Sequence, residues 1–89
     1  MNNNQEISTI IDVREPHEFR SSHIEGAINI PLGQIPYIVQ ELKNIGNNII
    51  LHCQSGARSG RAAEYLKSVG LQNVENGGGL AEMRIKLNR

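Results

Sequence analysis

The stretch Asn48-Ile49-Ile50-Leu51-His52-Cys53-Gln54-Ser55-Gly56-Ala57-Arg58-Ser59 changes character in mid-course. Asn48 to His52 reads as a β-strand, with the β-branched apolar run that a sheet buried on both faces accepts. Cys53 to Arg58 is a polar loop holding one glycine. Ser59 to Val69 then places Ala62, Tyr65, Leu66 and Val69 at the spacing of one inward helix face, and Gly70 ends it. Strand, short polar loop and helix together form the repeating unit of a parallel α/β sheet.

The same unit recurs outward from this stretch. Ser8 to Val13 carries Ile10, Ile11 and Val13 and reads as a first strand. Pro16, with its fixed φ, opens a short helix to Ser22 whose main apolar anchor is Phe19. Ala27 to Ile30 is a second strand stopped by Pro31. Apolar residues at 35, 38, 39, 42 and 45 predict a helix beginning at about Gln34 or Ile35, with Pro36 in its first turn and Gly46 past its end. Gln72 to Glu75 reads as a fourth strand, Gly77 to Gly79 as a turn, and Leu80 to Leu87 as a last helix. The order βαβαβαβα predicts an α/β fold: a small central parallel sheet with helices on both faces. Residues 1–6 are polar and expected to be disordered, leaving 7–89 as one domain. Ligands of such sheets bind outside the carboxyl ends of the strands, which brings the Asp12–Glu15 and Cys53–Ser59 clusters together.

Composition narrows the function. The 89 residues carry nine basic and nine acidic side chains, so the broad positive field of non-specific nucleic-acid binding is absent. No apolar run exceeds three residues, as at Ile49-Ile50-Leu51, which argues against a membrane span. Met1 to Glu6 holds neither a positive n-region nor an apolar h-region. As given, the chain reads as cytoplasmic, or as periplasmic if a leader has been removed. One cysteine excludes an intrachain disulfide, a Cys-x-x-Cys redox pair and a multi-cysteine zinc site. His17, His23 and His52 lack the helical i, i+4 spacing of a metal pair, so no metal is expected.

A lone cysteine is most often a small core hydrophobe. Cys53, however, stands at the polar exit of its strand and just before a helix. A loop there turns successive N–H groups inward beside the positive end of the helix, and Arg58 adds a full charge. Both favour the thiolate, which is the nucleophilic form. Gly56 allows the tight turn, and Ser55 and Ser59 offer hydroxyl donors.

Cys53-Gln54-Ser55-Gly56-Ala57-Arg58-Ser59 resembles the active-site loop of rhodanese-type sulfurtransferases. Three other segments agree with that family in order and separation: Ile11-Asp12-Val13-Arg14-Glu15-Pro16-His17-Glu18-Phe19, His23-Ile24-Glu25-Gly26-Ala27-Ile28-Asn29-Ile30-Pro31, and Val74-Glu75-Asn76-Gly77-Gly78-Gly79. The chain is most similar to the small single-domain bacterial type of the phage-shock kind, which is normally exported. The resemblance implies a rhodanese-like fold and a two-step transfer without a cofactor. Cys53 takes the outer sulfur of thiosulfate or a related sulfane donor, releases sulfite, and passes the sulfur from its persulfide to cyanide, a small thiol or a dithiol protein. It also implies that Gln54, Ser55, Gly56, Ala57 and Ser59 surround the substrate, with Arg58 on the sulfonate. Asp12, Arg14 and Arg61 are supporting candidates. Asp12 is read as a structural cap or an arginine's partner, and Arg14 with Glu15 as an ion pair or solvated surface. Arg61 either extends the anion field or is solvated. His23 is read as fixing its loop; His52 faces either side of its strand, and a role in lowering the Cys53 pKa is the less favoured reading for it. Relatives often carry a large aromatic just after the glycine turn; here Ala81-Glu82-Met83 follows, which bears on the choice of acceptor.

Two rival readings remain. Cysteine-dependent phosphatases also open their loop with His-Cys and close it with arginine, but with five intervening residues rather than the four from Gln54 to Ala57. The shorter loop makes a smaller cradle, sized for one sulfur. A non-catalytic binding module would have no chemical need for both Cys53 and Arg58.

Overall fold

The computed structural model describes residues 8–89. The expected disorder of residues 1–6 lies outside them. Strands β1 (Ser8–Asp12), β2 (Ile28–Asn29), β3 (Asn48–Cys53) and β4 (Val74–Gly79) form one sheet in the order β2-β1-β3-β4. All three pairings are parallel. Helices α1 (Pro16–Ser21), α2 (Val39–Lys43), α3 (Ala57–Ser68) and α4 (Leu80–Leu87) alternate with the strands.

Strand side chains alternate between faces, and that alternation divides the core in two. Ile11, Ile49, Leu51 and Cys53 join Ile35, Leu42, Ala62 and Leu66 on the α2–α3 face. Ile10 joins Ile24 and Met83 on the α4 face, with Ile50 and Leu87 packed against them. The α/β architecture with helices on both faces is therefore present. Cys53 and its neighbour His52 consequently project to opposite sides of the sheet.

Five local expectations differ. The helix predicted from Gln34 or Ile35 is a 3-10 segment, Leu32–Ile38, followed by the short α2. Pro36 lies inside that segment, where it has no N–H to donate and disfavours the α-conformation of the residue before it. Helix α3 begins at Ala57 rather than Ser59, because Gly56 takes φ +100° and turns the chain into it at once. Tyr65 is 37% exposed rather than inward-facing. Phe19 is only half-buried, and α1 has no buried residue. Its ring stacks on His23 at a centroid separation of 3.7 Å. Finally, Gly77–Gly79 are not a turn but the end of β4.

The glycines in β4 have a steric reason. The register slips between Leu51 and His52, so that Asn76 pairs with Leu51 and Gly78 with His52, leaving Gly77 as the extra residue. A Cβ on Gly77 would sit 2.5 Å from Met83 Sδ, and one on Gly79 would run into the carbonyl oxygen of Gln54. The close approach brings β4 up against the loop after β3.

Candidate active site

Cys53 ends β3, and its sulfur lies where the loop and the first turn of α3 converge. The Gly56 N–H donates to Sγ at 3.0 Å and the Ser59 N–H at 3.4 Å. The Ser59 hydroxyl oxygen stands 3.4 Å from the same sulfur. Burial pushes the thiol up, but the Ser59 hydroxyl and the N–H groups of Ser59, Ser55 and Gly56 outweigh it and bring the pKa from 9.0 to about 7. A large fraction of Cys53 is therefore thiolate near neutral pH. The residue has no exposed surface and packs within the α2–α3 core. It is thus buried as a core cysteine would be, yet ringed by donors as a core cysteine is not.

Gln54, Ser55 and Ala57 are exposed over the sulfur, and Gly56 is half-buried. Ser55 forms an isolated antiparallel bridge with Gly79. The loop is also tied to β1: Gln54 Oε1 accepts from Arg14 Nη1 at 3.2 Å. Arg14 is only 3% exposed, which corrects its reading as surface. Its guanidinium meets Asp12 through Nε and Nη2, the latter at 2.7 Å, and Nη2 also donates to the Ser22 carbonyl. Asp12 is accordingly an arginine's partner, and its Oδ1 also accepts the Arg14 N–H at 3.0 Å. Glu15 does not pair with Arg14. It forms a capping box with Glu18 at the start of α1.

Arg58 extends from the first turn of α3 to α1, where both terminal nitrogens reach Glu18 at 2.8 and 3.1 Å. The pair is partly open, with side chains 29% and 26% exposed. The Arg58 hydrogen bond and the Glu15 N–H hold the Glu18 carboxyl down at about 2. Arg61 is exposed and lines a separate groove of ≈ 270 Å³ with Leu32, Ile35 and Tyr65. It does not join the Cys53 cluster. His52 is fully buried on the other face, its Nδ1 3.1 Å from the Cys53 carbonyl and its Nε2 3.7 Å from Asp12. His23 Nδ1 bonds the Phe19 carbonyl at 2.8 Å and fixes its loop as expected.

Two residues at the site were not singled out from sequence. Glu18 is one, and its i+3 spacing from Glu15 was the available signal. Asn76 is the other. Its Oδ1 lies 2.7 Å from Ser59 Oγ, and its Nδ2 donates to the Gly56 carbonyl at 3.0 Å. The available signal was the strand-end rule applied to the strand as read from sequence, which ends at Glu75 and leaves Asn76 as the next residue.

Comparison with known proteins agrees with this geometry. The family model described as "Rhodanese-like domain" matches residues 1–82. The chain is 38% identical over 74 residues to thiosulfate sulfurtransferase PspE of Escherichia coli, covering 82% of this chain and 71% of that protein. It is 45% identical over 67 residues to the uncharacterized protein YqhL of Bacillus subtilis, covering 75% of this chain and 52% of that one. Among solved structures, "rhodanese with anions from E. coli" superposes with a TM-score of 0.76 at 36% identity, covering 85% of this chain and 91% of that one.

Proposed function

The chain belongs to the rhodanese-like domain family, and on that premise we propose that it is a thiosulfate sulfurtransferase whose Cys53 carries the moving sulfur as a persulfide. The observation that carries this reading is the convergence of the Gly56 and Ser59 N–H groups on one sulfur with a pKa of about 7. The Cys53 thiolate attacks the outer sulfur of thiosulfate. A new S–S bond forms, the old one breaks, and sulfite leaves with the bonding electron pair. The anionic outer sulfur of the persulfide then lies among the loop N–H groups, whose dipoles need no reorganisation to receive it. An acceptor thiolate or cyanide attacks that outer sulfur next, and Cys53 leaves as thiolate.

Electron bookkeeping needs no general acid, since sulfite and thiolate both depart as anions. Arg58 receives the sulfonate, which competes with Glu18 for its guanidinium. Cys53 is buried beneath the exposed loop, so Gln54 and Ser55 part to admit the donor. The PspE relative has thiosulfate sulfurtransferase in its name, which supports thiosulfate as donor here. The whole of 7–89 acts as one domain in this reading.

The test is incubation with thiosulfate followed by intact mass measurement. The wild type gains one sulfur atom, and Cys53→Ala gains none. A wild type that stays unmodified across thiosulfate, polysulfide and persulfide donors overturns the proposal and favours a binding module.

A further inference from the structure

Ser59 has one hydroxyl proton and three acceptors around it: Asn76 Oδ1 at 2.7 Å, the Gly56 carbonyl at 3.3 Å and Cys53 Sγ at 3.4 Å. We propose that Asn76 is a positioning residue whose Oδ1 serves as the alternate acceptor for this proton, so that the Ser59 hydroxyl turns with the charge on Cys53 Sγ.

The orientation of the Asn76 amide is determined by its other partners. Nδ2 faces the Gly56 carbonyl, which only accepts, and Oδ1 faces the Gly78 N–H at 3.0 Å, which only donates. The atom facing Ser59 is therefore an acceptor, and at 2.7 Å it takes the hydroxyl proton while the sulfur is neutral. Ser59 is fully buried, so no solvent competes for that proton. Gly60 makes room for the arrangement: a Cβ there would lie 3.2 Å from Asn76 Nδ2.

Each chemical state then selects one rotamer. With Cys53 as thiolate, the hydroxyl donates to the charged sulfur, and Asn76 Oδ1 keeps the Gly78 N–H. Once the persulfide forms, Sγ is neutral and the hydroxyl returns to Asn76. When an acceptor removes the outer sulfur, negative charge reappears on Sγ and the hydroxyl swings back to meet it. Only a hydroxyl rotor moves; no proton changes owner. By holding the hydroxyl proton while the sulfur is neutral, Asn76 keeps the thiol's pKa above what the donors alone would set, and the thiolate of a higher-pKa thiol is the more nucleophilic.

This role deepens the sulfur-transfer reading and rests on it for its purpose, but its test needs no sulfur donor. The charged or titratable groups nearest the loop are Arg58 on α3, Glu18 on α1 and Asp12 and Arg14 at the end of β1, with His52 of β3 on the opposite face of the sheet. None of them hydrogen-bonds Asn76, so its substitution leaves them in place. The measurement is the pH midpoint of Cys53 alkylation by iodoacetamide. In Asn76→Ala the hydroxyl loses its nearest competing acceptor and keeps only the longer Gly56 contact beside the sulfur, so the midpoint falls by about one pH unit. Asn76→Asp loses the Gly56 bond just as alanine does but keeps the acceptor and adds a negative charge, so its midpoint rises. Ser59→Ala raises the midpoint, and adding Asn76→Ala to it shifts nothing further. Asn76→Leu replaces the alanine variant if that variant does not fold. The proposal is overturned if the alanine and aspartate variants move together, if the alanine midpoint does not fall, or if its shift survives without Ser59. Failure of wild-type sulfur loading would sink the sulfur-transfer reading while leaving this titration result standing.

Discussion

The ends of β1 and β3 lie side by side in the sheet, with Asp12 paired in register to His52, yet they are built on opposite principles. After β1, full charges are buried and cancel: Arg14 and Asp12 meet at 2.7 Å with side chains 4% and 0% exposed. After β3, uncharged N–H dipoles converge on one titratable sulfur, and the nearby cation, Arg58, is held at the rim by Glu18. A buried ion pair tolerates no change in charge and makes a stiff frame. A ring of dipoles accommodates a group that gains and loses charge. The first supports the second through the Arg14–Gln54 hydrogen bond.

Removing one partner of the frame breaks this comparison most severely. Asp12→Ala leaves a buried guanidinium uncompensated and costs about 3–5 kcal/mol, read by urea unfolding. A loss below about 1 kcal/mol would mean that Ser22 and Gln54 hold Arg14 unaided. Crowding the dipole ring comes next. In Gly79→Ala the new methyl meets the Gln54 carbonyl and pushes the loop off the sulfur. Expected are a stability loss of about 1–3 kcal/mol and a rise in the Cys53 alkylation midpoint, and an unmoved midpoint would show that the loop yields elsewhere.

The ring also has a pH signature of its own. Alkylation and sulfur loading fall about tenfold per pH unit below the thiol's pKa of about 7, as thiolate is lost. The folded pKa lies below the ordinary 9.0, so the folded state binds fewer protons than the unfolded one between about 7 and 9. Stability therefore rises with pH across that window, is fully present above 9, and is lost as pH falls through 7. Cys53→Ala should flatten this slope, and a slope that persists would place its source in another group. The smallest effect belongs to the rim: Glu18→Gln changes stability by no more than about 1 kcal/mol, since its pair with Arg58 is partly open. A larger loss in thermal unfolding would make that pair part of the frame.

Most of the element order could be read directly, because short strands and helix faces announce themselves within a few residues, as Asn48–Leu51 and Ala62–Leu66 do. Pro36 and Gly77–Gly79 misled for one shared reason. Proline and glycine usually punctuate structure, but here tertiary contact determines their state. Pro36 sits within a 3-10 segment whose Ile35 is buried in the core, and the glycines extend a strand whose neighbours leave no room for side chains. Arg14 misled through its charge: a guanidinium reads as surface until a bidentate carboxylate two residues away buries with it.

The sequence by itself determined the α/β order, the position of a lone cysteine at a strand exit before a helix, and the motifs of its family, because each of these is a pattern of neighbours along the chain. Tertiary structure alone decided what surrounds that cysteine. Arg58 meets Glu18 across 40 positions, and Ser59 meets Asn76 across 17. Such meetings depend on strand order, on a one-residue slip in register and on the start of α3. A hydrogen bond is set by distances of a few tenths of an ångström, which local sequence preference does not encode.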